Sequence, residues 1–349
     1  MAKSKDVRVA FIGTGRPWRT EGSTGFGMAY AHAEGYNKIP GVRLVACADL
    51  VQANAEAFAL KTGCWKTYTD YRLMLKQEKP DMVSICTWPH LHAPMVIDAV
   101  QAGVKAIHCE KPMADTWGAS RKMAQACAKR KVRLTFNHQR RFGAPYRALR
   151  DLHWKGTLGK LVRMECFPPN LYDWGTHWLD MLQMFNRETP ASWIIGQVDA
   201  RAPHIVFGQP CDNQGVFHIK YANGVHGVVI TGNDRPGSAA LRLVGEQGIG
   251  EIHWSEPVLR VSTGGARKAV KVRNELHGNE SIDRGVADAV NALRTGGQSE
   301  LCAANALRAT ELIFAGYESS RRRARVELPL TINDNPLAAM LKSGQIKTF

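Results

Sequence analysis

Short apolar runs alternate with segments of helical pattern through residues 1–137, and no other feature of the chain restricts the possible folds so strongly. Runs this short and this apolar are typical of parallel strands that are buried on both faces. The alternation predicts an α/β fold whose doubly wound parallel sheet forms a Rossmann domain over residues 1–137. The predicted strands are Val9–Ile12, Val42–Ala48, Met82–Thr87, Val104–Cys109 and Val132–Phe136; the predicted helices are Phe26–Tyr36, Val51–Thr62, Tyr71–Gln77, Ala93–Ala102 and Thr116–Arg130.

Residues 138–349 have a different pattern. From Trp193 to Arg273 successive strand-like runs are separated by turn signals that contain glycine and asparagine. This pattern predicts a second, α+β domain over 138–349 with a large, mostly antiparallel, open-faced sheet. Because helices would cover only one face of such a sheet, we expect the other face to form a homodimer or homotetramer. The remaining predicted elements are helices at Tyr146–His153, Asp173–Phe185, Ser281–Thr295 and Ala303–Arg321 and a strand at Leu161–Phe167.

The composition of the chain is ordinary for a soluble globular protein. It has 349 residues, long enough for two domains, and 44% of them are hydrophobic. The N-terminus has no apolar signal region, and no later run approaches the ~20 apolar residues of a membrane span. The eight cysteines are scattered without close pairs, as expected of free thiols in a reducing compartment. We therefore expect a cytoplasmic protein that does not bind membranes.

The net charge of +15 raises the question of a nucleic-acid partner. Nucleic-acid binding would require basic residues clustered on one face with aromatic residues between them. Only two short basic clusters occur, at Lys129–Lys131 and Arg321–Arg325, and both lie at predicted helix ends where cations suit the helix dipole. The charge is interpreted as a solvated surface, with attraction of an anionic cofactor or substrate as the alternative.

A glycine loop follows the first predicted strand. In Gly13-Thr14-Gly15, glycines permit backbone N–H groups to approach a pyrophosphate at a helix N-terminus. The inserted segment Arg16–Gly25 displaces the third glycine of the usual pattern, so that Gly27 or Ala29 would have to fill the position of close packing. The strand before this loop and the helix after it predict a dinucleotide site.

Asp49 ends the second predicted strand. A carboxylate there can bind both ribose hydroxyls and repel a 2′-phosphate, which favours NAD as the cofactor. Arg16 and Arg19 of the inserted loop could instead bind that phosphate, so NADP is not excluded. The alternative role of Asp49 is an ordinary helix N-cap.

A set of proton-handling residues follows later in the chain. Lys111 lies in Glu110-Lys111-Pro112 directly after a predicted strand, and Asp173, His177 and Asp180 share one helix face by their spacing. Hydride leaves an alcohol carbon only as its O–H proton is removed, so a base such as histidine must reach that oxygen. A neighbouring ammonium stabilises the developing alkoxide. These residues predict hydride transfer at an alcohol carbon. No metal is expected, because a hydride carrier is already the electron sink.

Each catalytic candidate has a plainer alternative: a solvated lysine, a capping Asp/His pair, or a pair of metal ligands. The other candidates have alternatives as well. Thr14, Thr87, His92 and Glu110 are interpreted as cofactor contacts at the edge of the sheet, with plain capping as the alternative for Thr87 and His92. Tyr172 and Trp174, together with Trp88, are interpreted as flat faces for a sugar ring, or else as packing residues. Asp180, Arg140 and Arg141 are interpreted as substrate-binding, although the two arginines could equally pair with carboxylates.

These motifs together resemble the Gfo/Idh/MocA oxidoreductases, the family that contains glucose–fructose oxidoreductase and inositol dehydrogenases. The likeness extends over nearly the whole chain, and Glu-Lys-Pro after a strand is its most specific element. The chain departs from the family in the inserted glycine loop and in the short stretch between Leu161 and Asp173. The matching segments are Gly13–Gly15, Ala46–Asp49, Thr87–His92, Ala99–Gly103, Glu110–Pro112, Arg140–Phe142, Asp173 with His177, and Ala315–Ser319.

The resemblance implies that Lys111 contacts the reacting hydroxyl, that His177 is the acid/base and that Asp173 supports it. It also implies a cis peptide bond before Pro112. The expected function is an NAD(P)-dependent dehydrogenase or reductase that acts on a secondary alcohol or ketone of a sugar, cyclic polyol or sugar derivative. The alternatives are a lyase or glycoside hydrolase that uses transient oxidation, and a nucleotide-binding protein without turnover, which would need no proton relay.

Overall fold

The computed structural model describes residues 6–23, 25–232, 241–253, 256, 258–276 and 278–348. The chain divides into two compact units. The first unit contains residues 1–115, 119–139 and 282–306, and the second contains 116–118, 140–281 and 307–349.

The first unit is built on a six-stranded parallel sheet with the strand order β3-β2-β1-β4-β5-β6. Phe11 of β1 packs its ring against Tyr36 and Phe58 of two neighbouring helices, with ring centroids 5.8 Å and 4.9 Å away. The predicted doubly wound parallel sheet is confirmed. Its elements are β1 (Val7–Ile12), α1 (Met28–Asn37), β2 (Val42–Ala48), α2 (Gln52–Thr62), β3 (Lys66–Tyr68), α3 (Tyr71–Glu78), β4 (Met82–Ile85), α4 (Pro89–Gln101), β5 (Ala106–Cys109), α5 (Trp117–Lys129) and β6 (Arg133–Phe136).

A late helix returns to the first unit. Most of α8 (Glu280–Thr295) belongs to it, because Ile282, Val286 and Val290 are buried in the same apolar cluster as β1 and α1. The division at Gln139/Arg140 lies close to the expected boundary after residue 137, but the expected continuous domain 138–349 does not account for residues 282–306. Sequence order alone does not show which sheet a distant amphipathic helix will cover.

Two element boundaries in the first unit differ from expectation in ways that affect the site. Helix α1 begins at Met28, because Gly27 before it has a left-handed backbone (φ 64°). Helix α4 begins at Pro89, four residues earlier than predicted, since proline is favoured in the first turn of a helix. His92 therefore lies inside a helix and not at the end of a strand.

The second unit is built on a nine-stranded sheet with the order β16-β15-β14-β13-β7-β12-β11-β8-β17. Neighbouring strands are antiparallel except β7 and β12, which confirms the predicted large, mostly antiparallel sheet. A 3₁₀ helix (Gln139–Phe142) leads into this unit. Its other elements are α6 (Ala144–Trp154), β7 (Leu161–Cys166), α7 (Gly175–Phe185), β8 (Ala191–Asp199), β9 (Ile205–Val206), β10 (Gln209–Pro210), β11 (Gln214–Tyr221), β12 (His226–Gly232), β13 (Leu241–Gly245), β14 (Gly248–Ile252), β15 (Val258–Thr263), β16 (Ala266–Lys271), α9 (Ala303–Arg322, from Leu307 onward), β17 (Val326–Glu327) and α10 (Pro336–Lys342).

The two faces of this sheet differ. Phe217 of β11 is buried, and Gly316 of α9 lies so close that an added Cβ would be 3.0 Å from its ring. On the opposite face, Ile195 of β8 is 43% exposed and Val216 of β11 is 54% exposed. The sheet is thus covered by α9 on one face and open at these strands on the other. In the described part of the chain no helix is long and apolar enough to cross a membrane.

Candidate active site

The predicted site residues of the first unit lie at the carboxyl end of its parallel sheet. Gly13 follows β1, Asp49 follows β2, Thr87 comes two residues after β4, and Lys111 comes two residues after β5. Asn137, directly after β6, was not predicted but lies at the same edge. Since all six strands are parallel, the tertiary structure brings together residues that are far apart in sequence.

The glycine loop needs glycine for two physical reasons. Gly13 has φ of 80°, and an added Cβ would lie 2.5 Å from the Thr87 methyl carbon and 3.2 Å from the Cys86 carbonyl oxygen. Gly27 has φ of 64°, and an added Cβ would lie 2.9 Å from the Trp18 backbone nitrogen of the inserted loop. Ala29, the other candidate for the position of close packing, is buried in the apolar core. We propose Gly27 as the displaced third glycine, because it is the one whose added Cβ would clash.

Asp49 binds the glycine loop directly. Its Oδ2 accepts hydrogen bonds from the Thr14 backbone N–H (3.0 Å), the Thr14 hydroxyl (3.1 Å) and the Gly15 N–H (2.8 Å). Its Oδ1 accepts from the Val51 N–H at 2.9 Å, but Val51 and not Asp49 is the N-cap of α2. A loop with left-handed glycines beside a carboxylate fits a dinucleotide with a free ribose diol.

Arg16 of the inserted loop lies near this carboxylate. Its Nε donates to Asn54 Oδ1 at 3.3 Å, and the Asn54 amide lies 3.4 Å from Asp49 Oδ1. Its Nη1 donates to the Glu21 carbonyl at 2.6 Å. The guanidinium of Arg19 stacks 4.0 Å from the centre of the Trp18 ring. Of the two loop arginines, Arg16 is thus the one linked to Asp49.

His92 is fully buried in α4 and joins two segments of the sheet edge. Its Nε2 is 2.9 Å from the Thr87 carbonyl oxygen, and its Nδ1 is 3.0 Å and 3.1 Å from the carbonyl oxygens of Pro112 and Met113. Burial lowers the pKa of His92 although these carbonyl oxygens raise it. These contacts hold Thr87 and the turn after Lys111 in place, so the structure gives His92 a positioning role.

Glu110 is buried beneath Lys111 and holds its backbone. Glu110 Oε2 accepts from the Lys111 N–H at 3.1 Å, and Oε1 accepts from the Asn137 amide at 2.7 Å and contacts His32 Nε2 at 2.9 Å. His32 Nδ1 lies 2.9 Å from the Ser84 hydroxyl. The peptide bond between Lys111 and Pro112 is cis, as the resemblance implies.

Electrostatics make His32 and Glu110 an ion pair. Burial lowers the pKa of His32, but contact with Cys86 and Glu110 outweighs it and raises the pKa to about 10. Burial raises the pKa of Glu110, but His32, Lys111 and Asn137 lower it to about 2. Nothing in the sequence marks His32 or Asn137 as partners of Glu110, because a histidine within a helix is usually an ordinary core residue.

In the second unit, the predicted catalytic pair lies at the start of α7. His177 is in the first turn of the helix, whereas Asp173 lies in the turn before it, two residues earlier than the helix start. Asn170 causes this difference, because its Oδ1 accepts from the backbone N–H groups of Asp173 (2.8 Å) and Trp174 (3.2 Å). Asp173 and His177 are both buried.

A buried carboxylate that the sequence did not reveal supports this turn. Asp212 accepts hydrogen bonds from the Leu171 N–H (2.8 Å), the Thr231 hydroxyl (2.5 Å) and the Tyr317 hydroxyl (2.6 Å). Burial raises its pKa although these donors lower it. Asp212 thereby ties the turn before α7 to strand β12 and helix α9.

The two predicted aromatic residues have different surroundings. Tyr172 is buried in the core of the second unit. Trp174 is partly buried, and the Arg140 guanidinium lies 5.3 Å from its ring and 4.8 Å from the ring of Trp178. Burial lowers the pKa of Arg140 although Tyr146 and Asp173 raise it. The packing alternative therefore describes Tyr172, while Trp174 lies in a polar cluster with Arg140.

Arg141 and Asp180 bind each other. The Arg141 Nε and Nη2 groups donate to the two Asp180 carboxylate oxygens at 2.5 Å and 2.8 Å, and Nη1 donates to Glu188 at 2.6 Å. Both residues of the pair are almost fully buried. Of the two roles considered for Arg141, the structure shows pairing with carboxylates, which ties the 3₁₀ helix to α7.

Comparison with known proteins agrees with this architecture. Residues 7–138 match the Gfo/Idh/MocA model, described as an oxidoreductase family with an NAD-binding Rossmann fold. A D-apiose dehydrogenase from Paraburkholderia graminis is 26% identical over 351 residues, covering 90% of this chain and 91% of that protein. A 1,5-anhydro-D-fructose reductase from Ensifer adhaerens is 32% identical over 123 residues, which span 34% of this chain and only 37% of the relative.

A solved structure shares the fold. Levoglucosan dehydrogenase in complex with NADH and levoglucosan superposes with a TM-score of 0.79 at 20% identity, covering 93% of this chain and 100% of that one. At this identity the likeness shows the fold alone.

Proposed function

We propose that the chain is an NAD-dependent sugar or polyol dehydrogenase, because residues 7–138 match the model of the Gfo/Idh/MocA oxidoreductases, described as a family with an NAD-binding Rossmann fold. It would transfer hydride between the nicotinamide and a secondary alcohol or ketone of a sugar, cyclic polyol or sugar derivative. The match over residues 7–138 agrees with the resemblance carried by the sequence motifs of that part of the chain.

One observation carries the proposal: the glycine loop, Asp49 and the Glu110-Lys111 pair lie at one edge of a single parallel sheet. Asp49 and the positive-φ glycines fit the ribose and pyrophosphate of a dinucleotide. Bound NAD would supply the hydride acceptor, and the protein would supply proton transfer.

We assign the proton chemistry to Lys111 and His177. The Lys111 ammonium would stabilise the alkoxide that develops as hydride leaves, and His177 would accept the hydroxyl proton. Asp173 would orient His177 or a substrate hydroxyl. Glu110, with His32 behind it, would hold the Lys111 backbone in place.

The substrate class rests on the relatives and on the surroundings of Trp174. The relatives are named for D-apiose and 1,5-anhydro-D-fructose, a sugar and an anhydrosugar. Trp174 and Arg140 provide an aromatic face beside a cation, and the pair suits a ring that carries several hydroxyls.

The test is to follow NADH absorbance while sugars, anhydrosugars, inositols and glycosides are added with NAD or NADP. Substrate-dependent NADH formation with at least one member would support the proposal. Release of free sugar from a glycoside without net NADH would instead support the lyase or hydrolase alternative. Tight NAD binding without turnover of any compound, in either direction, would support the nucleotide-binding alternative.

A further inference from the structure

We propose that Cys86 is an activated thiol at the nucleotide edge of the first unit, a modification site for small soft electrophiles. Three side chains from separate parts of the chain form the required arrangement. Cys86 Sγ lies 3.6 Å from His32 Nδ1, and His32 Nε2 lies 2.9 Å from Glu110 Oε1. Cys86 thus contacts an imidazolium that is itself paired with a buried carboxylate.

The buried carboxylate gives this arrangement its chemistry. Glu110 and His32 are both buried, so the carboxylate stabilises a proton on the imidazole more than it would in water. The described neighbours of His32 Nδ1 are the Ser84 hydroxyl at 2.9 Å and the Cys86 sulfur. The Ser84 hydroxyl also lies 3.8 Å from that sulfur. Both groups can therefore stabilise a thiolate.

The reaction itself needs no oxidant. The thiol loses its proton to solvent, the imidazolium of His32 stabilises the thiolate, and the sulfur then attacks an electrophilic carbon. A carbon–sulfur bond forms while the leaving group departs with its electron pair. With iodoacetamide the leaving group is iodide and the product is a stable thioether.

The position of Cys86 exposes it to such reagents and places it beside the glycine loop. Cys86 is partly exposed, as is Cys302, whereas the other six cysteines are buried. The Cys86 backbone N–H donates to the Ile12 carbonyl, and its own carbonyl oxygen would lie 3.2 Å from a Cβ on Gly13. Because the Cys86 backbone borders the loop, we expect a group attached to this sulfur to compete with a nucleotide there.

Cys302 is the internal control. It is also partly exposed, but within the described residues its sulfur accepts a hydrogen bond from the Gln298 amide at 3.3 Å and has no imidazole contact. The experiment is alkylation of the intact protein by limiting iodoacetamide near pH 7, with each cysteine-containing peptide quantified by mass spectrometry over time.

We expect Cys86 to react at least about tenfold faster than Cys302, and His32→Gln and Glu110→Gln each to remove most of that difference. Circular dichroism would check that both variants are folded. Equal rates for Cys86 and Cys302 in the wild-type protein would overturn the proposal without any variant. Rapid reaction of Cys86 that is unchanged in a folded His32→Gln protein would overturn the role of the imidazole.

The second part of the inference rests on the proposed function, because it takes the glycine loop to bind NAD. Saturating NAD should slow alkylation of Cys86 and leave that of Cys302 unchanged, and Cys86→Ser should still bind NAD. If alkylated protein binds NAD normally, the thiol does not border the nucleotide. If unmodified protein binds neither NAD nor NADP, the proposed function fails, while the reactivity ratio still decides the activation of Cys86.

Discussion

Glu110 shows how a residue can belong to a functional motif without facing the ligand. The Glu-Lys-Pro sequence places Glu110 beside Lys111, and its carboxylate was predicted to contact the cofactor. In the structure this carboxylate turns inward to His32 and Asn137 and accepts a bond from the Lys111 backbone. We therefore propose that Glu110 positions Lys111, and that a cofactor contact is better assigned to Thr87.

Lys111→Ala and His177→Ala should each lower turnover by about 10²–10⁴ and leave NAD binding nearly unchanged, because both residues would serve the reacting oxygen. Steady-state kinetics on a substrate found in the screen and NAD titration by fluorescence are the measurements. The fold loss of turnover in the double variant should be much smaller than the product of the two single losses, since both residues act on one proton transfer. Near-normal turnover of Lys111→Ala would contradict the assigned site.

Asp49→Ser should narrow the preference for NAD over NADP, because it removes the charge that repels a 2′-phosphate. The measurement is the ratio of the two dissociation constants. Arg16→Ala is the matched variant, since Arg16 is linked to Asp49 through Asn54. If the wild-type protein binds NADP more tightly than NAD and Arg16→Ala abolishes this preference, then Arg16 and not Asp49 determines the cofactor preference.

The buried ion pair should make stability depend on pH in a defined window. The pKa of Glu110 is lowered from 4.5 to about 2, so its contribution is present above pH 4.5 and lost as pH falls. The pKa of His32 is raised from 6.5 to about 10, so its contribution is present below pH 6.5 and lost as pH rises through about 10. The difference in the free energy of unfolding between wild type and His32→Gln should therefore be largest near pH ~5.5.

Urea unfolding of both proteins near pH ~5.5 and pH ~9.5 would measure this. The difference in unfolding free energy between wild type and His32→Gln should be smaller at the higher pH. An equal difference at both values would mean that His32 and Glu110 do not form an ion pair in the folded protein.

Helix α7 and the 3₁₀ helix are held together by a buried ion pair, and this changes the interpretation of Arg141. The guanidinium donates to both carboxylate oxygens of Asp180 and to Glu188, so these N–H groups bind protein carboxylates and not a substrate. A substrate contact is better proposed for Arg140, which lies against Trp174. The same helix carries His177, so loosening it would also disturb the proposed base.

Arg141→Met should lower the free energy of unfolding by about 3–5 kcal/mol, because it leaves the Asp180 carboxylate buried without its partner. Adding Asp180→Leu should restore part of this loss, since no uncompensated charge then remains. Denaturant unfolding of both variants is the measurement. A raised KM with unchanged stability in Arg141→Met would favour substrate binding instead.

The open face of the nine-stranded sheet bears on assembly. His218 of β11 lies opposite Ile195 on one side and Val228 on the other, and Val216 lies opposite Ile230. The side chains of Ile195, Val216, Val228 and Ile230 form an apolar strip around His218 on the face that α9 does not cover. We propose that a second copy of the chain covers this strip.

Sedimentation at micromolar concentration should show a dimer or tetramer, and Val216→Glu should shift it to monomer because the substitution places a charge within the strip. Leu60→Glu is the matched control, since Leu60 is 90% exposed on helix α2 of the first unit. Dissociation by both substitutions, or only monomer in the wild type, would contradict the proposal.

Local patterns along the chain predicted much of this protein correctly. The alternation of short apolar runs and helices identified the parallel sheet, because a strand buried on both faces must be apolar throughout. Turn signals identified the antiparallel sheet in the same way. Gly13, Asp49 and Lys111 were proposed as site residues because each follows a predicted strand, and the carboxyl ends of parallel strands meet at one edge.

Contacts between distant residues could be decided only by the tertiary structure. His32 meets Glu110 across 78 positions, and Arg141 meets Asp180 across 39, and neither pairing leaves a periodic signal in the sequence. The return of α8 to the first unit depends likewise on which apolar surface is available to bury its face. The amino-acid sequence by itself thus determined the elements and the polar residues that follow them. Folding decided which of those residues form ion pairs in the interior, because a buried charge without a partner would destabilise the protein.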